Sequence, residues 1–504
     1  MKYALVSVWS KENIEKYVIE LINLGYRIIS TDGTASYLRN LQIDVNTIGE
    51  LFSQKELFDG RVKTLNSYIF GGILYRRNVQ KHIIEAMENN IPNIELVIVE
   101  LYPFENFSKI EYDEEKLFEF IDIGGISLIR AGAKNYKDVI VIVDLNDLSW
   151  VIEKLKTNIL SIEDRRKLAL KAFYKSASYD SFIYNELLNR WKYSLFDSEV
   201  VFSYRKGFKL KYGENPHQNA SLLFNNYYKG FSQSIELIYG KELSYNNLLD
   251  SFYAYSIVSE FSEFACAIVK HNNPCGVAIG SSDTEVYLKA YESDKTSAYG
   301  GIVAFNFLVN EEVAHLLNEQ FYEIIIAKDY TNDSIEILRK KKNRKLLKVK
   351  DFNKPKFFIR DIGGDILICE DDSVLYSKME LLSGENLTEY EIKNIEFGLK
   401  VIKYMKSNAI LLVKDFSTVG MGIGQTSRID ALKVAIMKSG ERSKNSILIS
   451  DGFFPFSDSI ELAHENGIYL IVEPGGSIRD KEIIEKARKY NIKLVFTGIR
   501  HFTH

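Results

Sequence analysis

YALVSVWSKENIEKYVIELINLGYRIIST, residues 3–31, decides the fold class. It begins with an apolar run, YALVSV, continues through NIEKYVIELINLG with apolar residues at helical spacing, and returns to a second apolar run, YRIIST. Short apolar runs separated by amphipathic helices are the pattern of buried parallel strands joined by crossover helices. ELVIVELYPF (95–104) and DVIVIVD (138–144) repeat the strand type, so the first part of the chain is predicted to be a doubly wound α/β domain. A helical region rich in Ala and Tyr follows (165–191), and the domain is expected to span residues 1–197.

The remainder, 198–504, again alternates strand-like strings (ACAIVKHNN, GGIVAFN, AILLVKD, SILISD, GIYLIVE, KLVFTG) with helical ones. It is large for one core, so two α/β subdomains divided near 330–390 are expected. RKKKNRKLLKVK (339–350) falls in that stretch; without interleaved aromatics it reads as a solvated helix end rather than a nucleic-acid patch.

Composition narrows the function. With 504 residues, 46% apolar and 26% charged, the chain has the make-up of a soluble multidomain protein. A net charge of −4 and pI near 6.1 provide no global field for nucleic acid or an anionic membrane. The N-terminus lacks a basic flank before an apolar core, and no apolar run reaches membrane-spanning length, so a cytoplasmic location is expected. Cys266, Cys275 and Cys369 form no CxxC pair and read as reduced thiols. Only seven prolines occur, and those in LYPF, GENPHQ, NNPCG, FFPF and EPGG mark compact turns that could aim side chains.

AIVKHNNPCGVAIG (267–280) sets Lys270 beside His271 at the end of an apolar strand, just before a Pro-Cys-Gly turn. The lysine cation disfavours the imidazolium form, which suits a general base near neutral pH. A zinc deaminase also places a histidine near a Pro-Cys turn, but needs H-x-E and P-C-x-x-C. This chain has HNN and a single cysteine there, so no zinc is expected. GMGIGQTSRID (420–430) imitates a dinucleotide loop, but the chain reads SKNS at 443–446, with no acid there for a ribose. It reads either as a turn into a helix or as a phosphate site built from helix N-terminal amides and Arg428.

KYGENPHQ, GKELSYNN, VKHNNPCG, SAYGGIVAFN, KSNAI, GIGQTSRID, DGFFPFSD, EPGGSIRD and FTGIRHFTH occur in the order and approximate spacing of the bifunctional purine biosynthesis family. That family joins AICAR (phosphoribosylaminoimidazolecarboxamide) formyltransferase to IMP (inosine monophosphate) cyclohydrolase, and the resemblance runs the length of the chain. It implies a methylglyoxal-synthase-like first domain and a formyltransferase region of two cytidine-deaminase-like subdomains. It also implies a homodimer, with AICAR, formyl-AICAR and the folate co-substrate 10-formyltetrahydrofolate as small-molecule partners and no tightly bound cofactor. On this mapping His271 is the base at the AICAR amine, Lys270 the cation facing the formyl oxygen, and Asn408 orients the transferring group. Lys211, Tyr212, His217, Asn247, Arg428, Phe453, Asp458 and Arg500 match substrate-binding positions. In the first domain DGRVKTL, ELYPF, IDIGG and RAGAKN carry the chemistry. Lys63 and Lys134 would hold phosphate or polarise the carbonyl, Tyr102 supply a hydroxyl, and Asp122 act on the carboxamide nitrogen. STDGTAS would cradle the phosphate with Ser30, Thr31, Gly33 and Thr34.

The first domain also departs from the family strings. SVSDK is here SVWSK, STGGT is STDGT, VKTLHPKIHGGIL is VKTLNSYIFGGIL and NLYPF is ELYPF. Asp32, Asn66, Phe70 and Glu100 are thus unexpected, and two of them are acids near an anionic substrate. A carboxylate about 5 Å from a phosphate charge costs roughly 3 kcal/mol at an effective dielectric of 20. The alternative to a working bifunctional enzyme is therefore a formyltransferase whose first domain binds nucleotide but is impaired in cyclisation; a non-enzymatic nucleotide-binding protein is a third reading.

Overall fold

The structure is a computed structural model that describes residues 1–52, 58, 61–111 and 113–504. Asp59 and Gly60 of the DGRVKTL string lie outside the described residues. The chain forms two compact units: Met1–Arg205 with Asn225–Tyr228, and Lys206–Phe224 with Lys229–His504. The expected boundary at 197 falls in the segment after the last long helix of the first unit.

The first unit is built on β1 (Lys2–Ser7), α1 (Ile14–Asn23), β2 (Tyr26–Ser30), α2 (Asp32–Asn40), β3 (Asn46–Thr47), β4 (Ile94–Val99), α3 (Gly124–Lys134), β5 (Ile140–Ile142) and α4 (Ile162–Arg190). Its five strands are all parallel, in the order β3-β2-β1-β4-β5. The opening stretch therefore forms a parallel neighbour pair, with Val6 opposite Ser30 and Leu5 opposite Ile29. Alternate strand residues feed two cores: Ala4, Val6, Ile28 and Ile98 pack toward α1, while Leu5, Ile29, Val97 and Val99 pack toward α3. Burial on both faces explains why these strands read as continuous apolar runs. The order reverses between β1 and β4, which opens a crevice at their carboxyl ends.

The second unit contains a 12-stranded sheet. Its first half comprises β6 (Ile235–Tyr239), α5 (Tyr245–Val258), β7 (Phe264–Lys270), β8 (Asn273–Gly280), α6 (Asp283–Ser293), β9 (Ile302–Val309), β10 (Ile324–Tyr330) and β11 (Lys345–Val349). Its second half comprises β12 (Glu380–Ser383), α7 (Glu389–Ile402), β13 (Ile410–Lys414), β14 (Ser417–Gly422), α8 (Arg428–Ser439), β15 (Ile447–Ser450), β16 (Leu470–Glu473) and β17 (Lys493–Phe496). The halves repeat one topology: β6-β11-β10-β9-β7-β8 in the first and β12-β17-β16-β15-β13-β14 in the second, with parallel and antiparallel pairings at matching places. β8 and β14 join them, through Ala278 opposite Ser417.

The duplication extends to packing. α5 and α7 cover one face over a shared core, whereas α6 and α8 cover the other face over separate cores. A Cβ on Gly276 would lie 1.8 Å from the Ala290 carbonyl of α6, and one on Gly420 would lie 2.3 Å from the Ala435 carbonyl of α8. Each strand can approach its helix only because that residue has no side chain.

One reading changes on folding. In RKKKNRKLLKVK residues 339–343 and Lys350 are exposed; Arg344 is fully buried and Lys345–Val349 is strand β11. The Arg344 guanidinium donates to the carbonyls of Leu317 (3.1 Å) and Gln320 (3.0 Å), and burial draws its pKa down to about 10. The apolar LL of this string buries in the sheet and takes the adjacent charge with it. Among the described residues no helix is long and apolar enough to cross a membrane.

Candidate active sites

In the first unit a cleft of about 680 Å³ opens at the carboxyl ends of β1, β2 and β4. Thr31, Gly33, Thr34, Lys63, Tyr102 and Asp122 all line it. Thr31 is the N-cap of α2 and makes no side-chain cap, so the first-turn amides of that helix have no side-chain acceptor of their own. Such a terminus attracts an anion. Ser30 does not join the cradle: it is fully buried and its hydroxyl donates to the Val6 carbonyl at 2.9 Å.

Asp122 stands just before α3, where its Oδ1 accepts the Gly125 amide at 2.6 Å. Burial raises its pKa above the ordinary carboxylate value, and the amides of Gly125 and Tyr102 only partly oppose this. Tyr179 of α4, which the sequence reading passed over, accepts the Asp122 amide at 3.0 Å and donates to the Phe120 carbonyl at 3.1 Å. Nothing local in the string SASYD marks it; only the packing of α4 brings it here. Lys134 ends the same helix that Asp122 precedes. Ten residues of helix separate it from Gly124, about 15 Å; it is exposed and does not line the cleft.

The four unexpected residues separate into different classes. Asp32 is exposed on the first turn of α2 and is not among the lining residues, although Thr31 and Gly33 on either side of it are. Asn66 caps the helix Ser67–Leu74 by accepting the Ile69 amide at 2.8 Å, and Phe70 packs on the α3-side core. Glu100 does face the cleft, but its carboxylate accepts the Ser10 amide at 2.6 Å and lies near Lys11. Burial lowers the Lys11 pKa and Glu100 opposes that, so the acid supports a cation at the cleft wall. Trp9 completes the wall, edge-on to Tyr102 at 5.2 Å and to Phe107 at 5.5 Å.

In the second unit β7 and β8 form a hairpin closed by His271 (φ 54°) and Asn272 (φ 60°), with Lys270 opposite Asn273. Two consecutive left-handed residues match the twist of the flanking strands, and Asn and His are among the non-glycine residues that adopt this region most often. The turn is held by Asp250 of α5, whose Oδ1 accepts the Asn272 amide at 2.7 Å. His271 is exposed at a cavity of about 170 Å³ that also involves Lys270, Cys275, Asp294 and Lys438. Lys270 Nζ donates to the Tyr299 carbonyl at 2.9 Å. Asp294 is bound by Lys438 at 2.8 Å and by Ser297 at 2.7 Å. Although burial alone would raise its pKa, these partners hold it below the ordinary value. Burial pushes the Cys275 thiol up to about 12, so it is a packing residue rather than a nucleophile.

Asn408 approaches from the start of β13. Its side chain donates to the carbonyls of Gln425 (3.0 Å) and Thr426 (3.2 Å). Lys406 links the His271 hairpin to the C-terminal segment: its amide donates to Asn273 Oδ1 at 3.3 Å and its ammonium to the His504 carbonyl at 2.6 Å. His501 is buried, with Nδ1 at 2.7 Å from Asp372.

The remaining expected residues fall elsewhere. Arg428 is buried, with its guanidinium on Asp451 (2.7 Å) and the Phe453 carbonyl (3.0 Å). Phe453 and Arg500 are exposed nearby, with the Arg500 guanidinium 4.8 Å from the Phe502 ring, and Asp458 begins the following helix. Asn247 is a capping residue: its carbonyl accepts the Ser244 amide at 3.2 Å and its amide donates to Glu323 at 2.9 Å. Lys211, Tyr212 and His217 lie on the turn of a ribbon, Tyr204–Leu210 with Ala220–Asn225, and not at the His271 cavity. Among the described residues no group of three or more His, Cys, Asp or Glu side chains could hold a metal ion.

Two clefts in separately cored units imply two chemistries on one chain, and the class this defines is a bifunctional enzyme. Comparison with known proteins finds two family models: residues 13–127 match the MGS-like domain, and residues 132–438, which begin inside the first unit, match the AICARFT/IMPCHase bienzyme family. The bifunctional purine biosynthesis protein PurH of Aquifex aeolicus is 43% identical over 505 residues, covering 99% of this chain and all of the relative. Its counterpart from Clostridioides difficile is 42% identical over 509 residues and covers both chains completely. That of Persephonella marina is 44% identical over 515 residues, 99% of each. The chain belongs to the AICARFT/IMPCHase bienzyme family.

Proposed function

We propose that the two clefts divide the family's two reactions between them. The chain is a bifunctional AICAR formyltransferase and IMP cyclohydrolase, carrying out the last two steps of IMP synthesis. In the second unit the 5-amine of AICAR attacks the formyl carbon of 10-formyltetrahydrofolate. His271 takes the amine proton, Lys270 faces the developing oxyanion, and the C–N bond to the folate breaks as that nitrogen regains a proton. Positioned general base catalysis contributes about 10²–10⁴ in rate, and charge stabilisation adds to it. Asn408, at the start of β13, orients the transferring group.

In the first unit the carboxamide nitrogen of formyl-AICAR attacks the formyl carbon, and the ring closes with loss of water. Asp122 accepts the nitrogen's proton. Tyr102 and Lys63 serve the carbonyl oxygen that departs as water, and the α2 N-terminus with Thr31 and Thr34 receives the phosphate. The single observation that carries this reading is the convergence of Lys63, Tyr102 and Asp122 on one cleft, with Asp122 titrating above the ordinary carboxylate value. Nothing in the cleft favours impaired cyclisation: Asp32 is exposed and is not among the lining residues, and Glu100 accepts the Ser10 amide beside Lys11.

The reading includes a homodimer in the cytoplasm with no tightly bound cofactor. Its support is that Lys211, Tyr212 and His217 stand on an exposed ribbon away from the His271 cavity, where a two-fold partner could receive them. The decisive experiment supplies AICAR and 10-formyltetrahydrofolate and follows formyl-AICAR and IMP separately. His271→Ala should abolish the first product while exogenous formyl-AICAR still becomes IMP. Asp122→Asn should let formyl-AICAR accumulate. Loss of both steps in either variant would defeat the division. In wild type the acid limb of cyclisation should sit above the ordinary carboxylate range, since Asp122 accepts a proton only when ionised.

A further inference from the structure

The duplicated topology supplies an internal control for the residue that holds the reactive turn. α5 and α7 are both 14 residues long, both start from a capping box, and both send their sixth residue to a β-hairpin. In the first half that residue is Asp250, accepting the Asn272 amide at 2.7 Å. In the second it is Asn394, accepting the Phe416 amide at 2.9 Å. The turns match as well: His271 and Asn272 have φ of 54° and 60°, and Asp415 and Phe416 have 51° and 57°. A neutral amide oxygen therefore suffices to hold such a turn, and the charge of Asp250 is not required by the geometry.

We infer that Asp250 is a positioning residue whose carboxylate charge supports proton uptake by His271 during formyl transfer. The inference rests on the reading of His271 as the base. The carboxylate lies at the turn, where it accepts the amides of Asn272 and His271 and is within electrostatic reach of the His271 side chain; as the ring gains a proton, the negative charge stabilises the cation formed. The surroundings contain few competing charges of the same effect. Lys270 and His271 are on the hairpin, Cys275 is on β8, Glu323 faces from the start of β10, and Asp294 lies across the cavity in a pair with Lys438. Burial raises the Asp250 pKa, which the turn amides and His271 oppose. In the second half no base is served: Asp415 accepts the Tyr390 hydroxyl at 2.6 Å, and a carboxamide replaces the acid.

The test is Asp250→Asn in the full chain, which copies what the second half already does. The expected result is formyl transfer reduced by about tenfold or more in kcat, with KM for AICAR within about twofold and the acid limb of the pH–rate profile displaced. Asp250→Glu should recover most of the rate, and cyclisation of added formyl-AICAR by the same chain reports that it is folded. Wild-type kcat and pH profile in Asp250→Asn would overturn the inference. So would a fall in unfolding temperature or AICAR binding that parallels the lost turnover, since the role would then be structural. His271→Ala with undiminished formyl transfer would instead defeat the reading beneath it, whatever Asp250→Asn does.

Discussion

The hairpins ending in His271 and in Asp415 share their strand order, their left-handed turn residues and the close approach of a glycine to a helix, but they differ in the side chains around the turn. In the first half His271 is exposed beside Lys270, and a carboxylate lies at the turn. In the second, Asp415 is tied to Tyr390, the Phe416 ring packs 5.6 Å from that tyrosine, and Lys414 Nζ is spent on the Lys444 carbonyl at 3.1 Å. The difference teaches that the scaffold sets where the turn is and how it is shaped. Reactivity comes from two or three side chains that the scaffold does not require.

The comparison breaks most sharply at the turn residues themselves. His271→Ala should cost formyl transfer at least about a hundredfold, the low end for a lost general base. Asp415→Ala should change it by less than about threefold, with both rates read by following formyl-AICAR. Equal losses would mean that the two turns act as one site.

The shared scaffold can be tested at the two glycines. Gly276→Ala and Gly420→Ala each force a methyl against a helix carbonyl, at 1.8 and 2.3 Å before relaxation. Overpacking of this kind costs about 1–3 kcal/mol or more, so both variants should shift denaturant midpoints of the second unit in similar measure. A cost at only one of them would show that the halves are packed differently despite their common order.

The smallest effect should appear in a feature of the second half, Glu473 at the end of β16. Burial raises its pKa to about 8, and its Oε2 accepts the Phe454 amide at 2.6 Å. A carboxyl that keeps its proton when folded but loses it at lower pH when unfolded stabilises the protein most at low pH. That contribution declines from the ordinary carboxylate range up to about pH 8. Calorimetry should therefore show the second unit's unfolding temperature falling by a few degrees over that window, and Glu473→Gln should flatten the trend. An unchanged slope in Glu473→Gln would remove the group from the pH dependence.

How much of this was legible beforehand differs between elements. The parallel strands of the first unit were readable because burial on both faces leaves uninterrupted apolar runs, and YALVSV, YRIIST and DVIVIVD contain the observed strands. The duplication was also written in the chain, as VKHNNPCGVAIG (269–280) against VKDFSTVGMGIG (413–424), but the repeat is short and its reactive residues differ, so it reads clearly only once the two sheets are superposed in order. Lys270 and His271, adjacent in sequence at the end of an apolar run, stand at the end of β7 and on the turn that follows it. Asp250, 21 residues before His271, carried no local mark; a helix and a strand had to pack before its carboxylate met the turn.

The sequence alone determined the α/β class and the family, because these depend on periodicity and on strings whose members are close along the chain. Tertiary structure decided which of those residues share a cleft. It buried Arg428 against Asp451, spent Asn247 on a helix cap, and put Lys134 at the far end of the helix that Asp122 begins. It also left Asp32 exposed while giving Glu100 a backbone amide and a lysine. The physical reason is the same in each case: a polar side chain takes the nearest partner that burial leaves it, and that partner comes from another element of the fold.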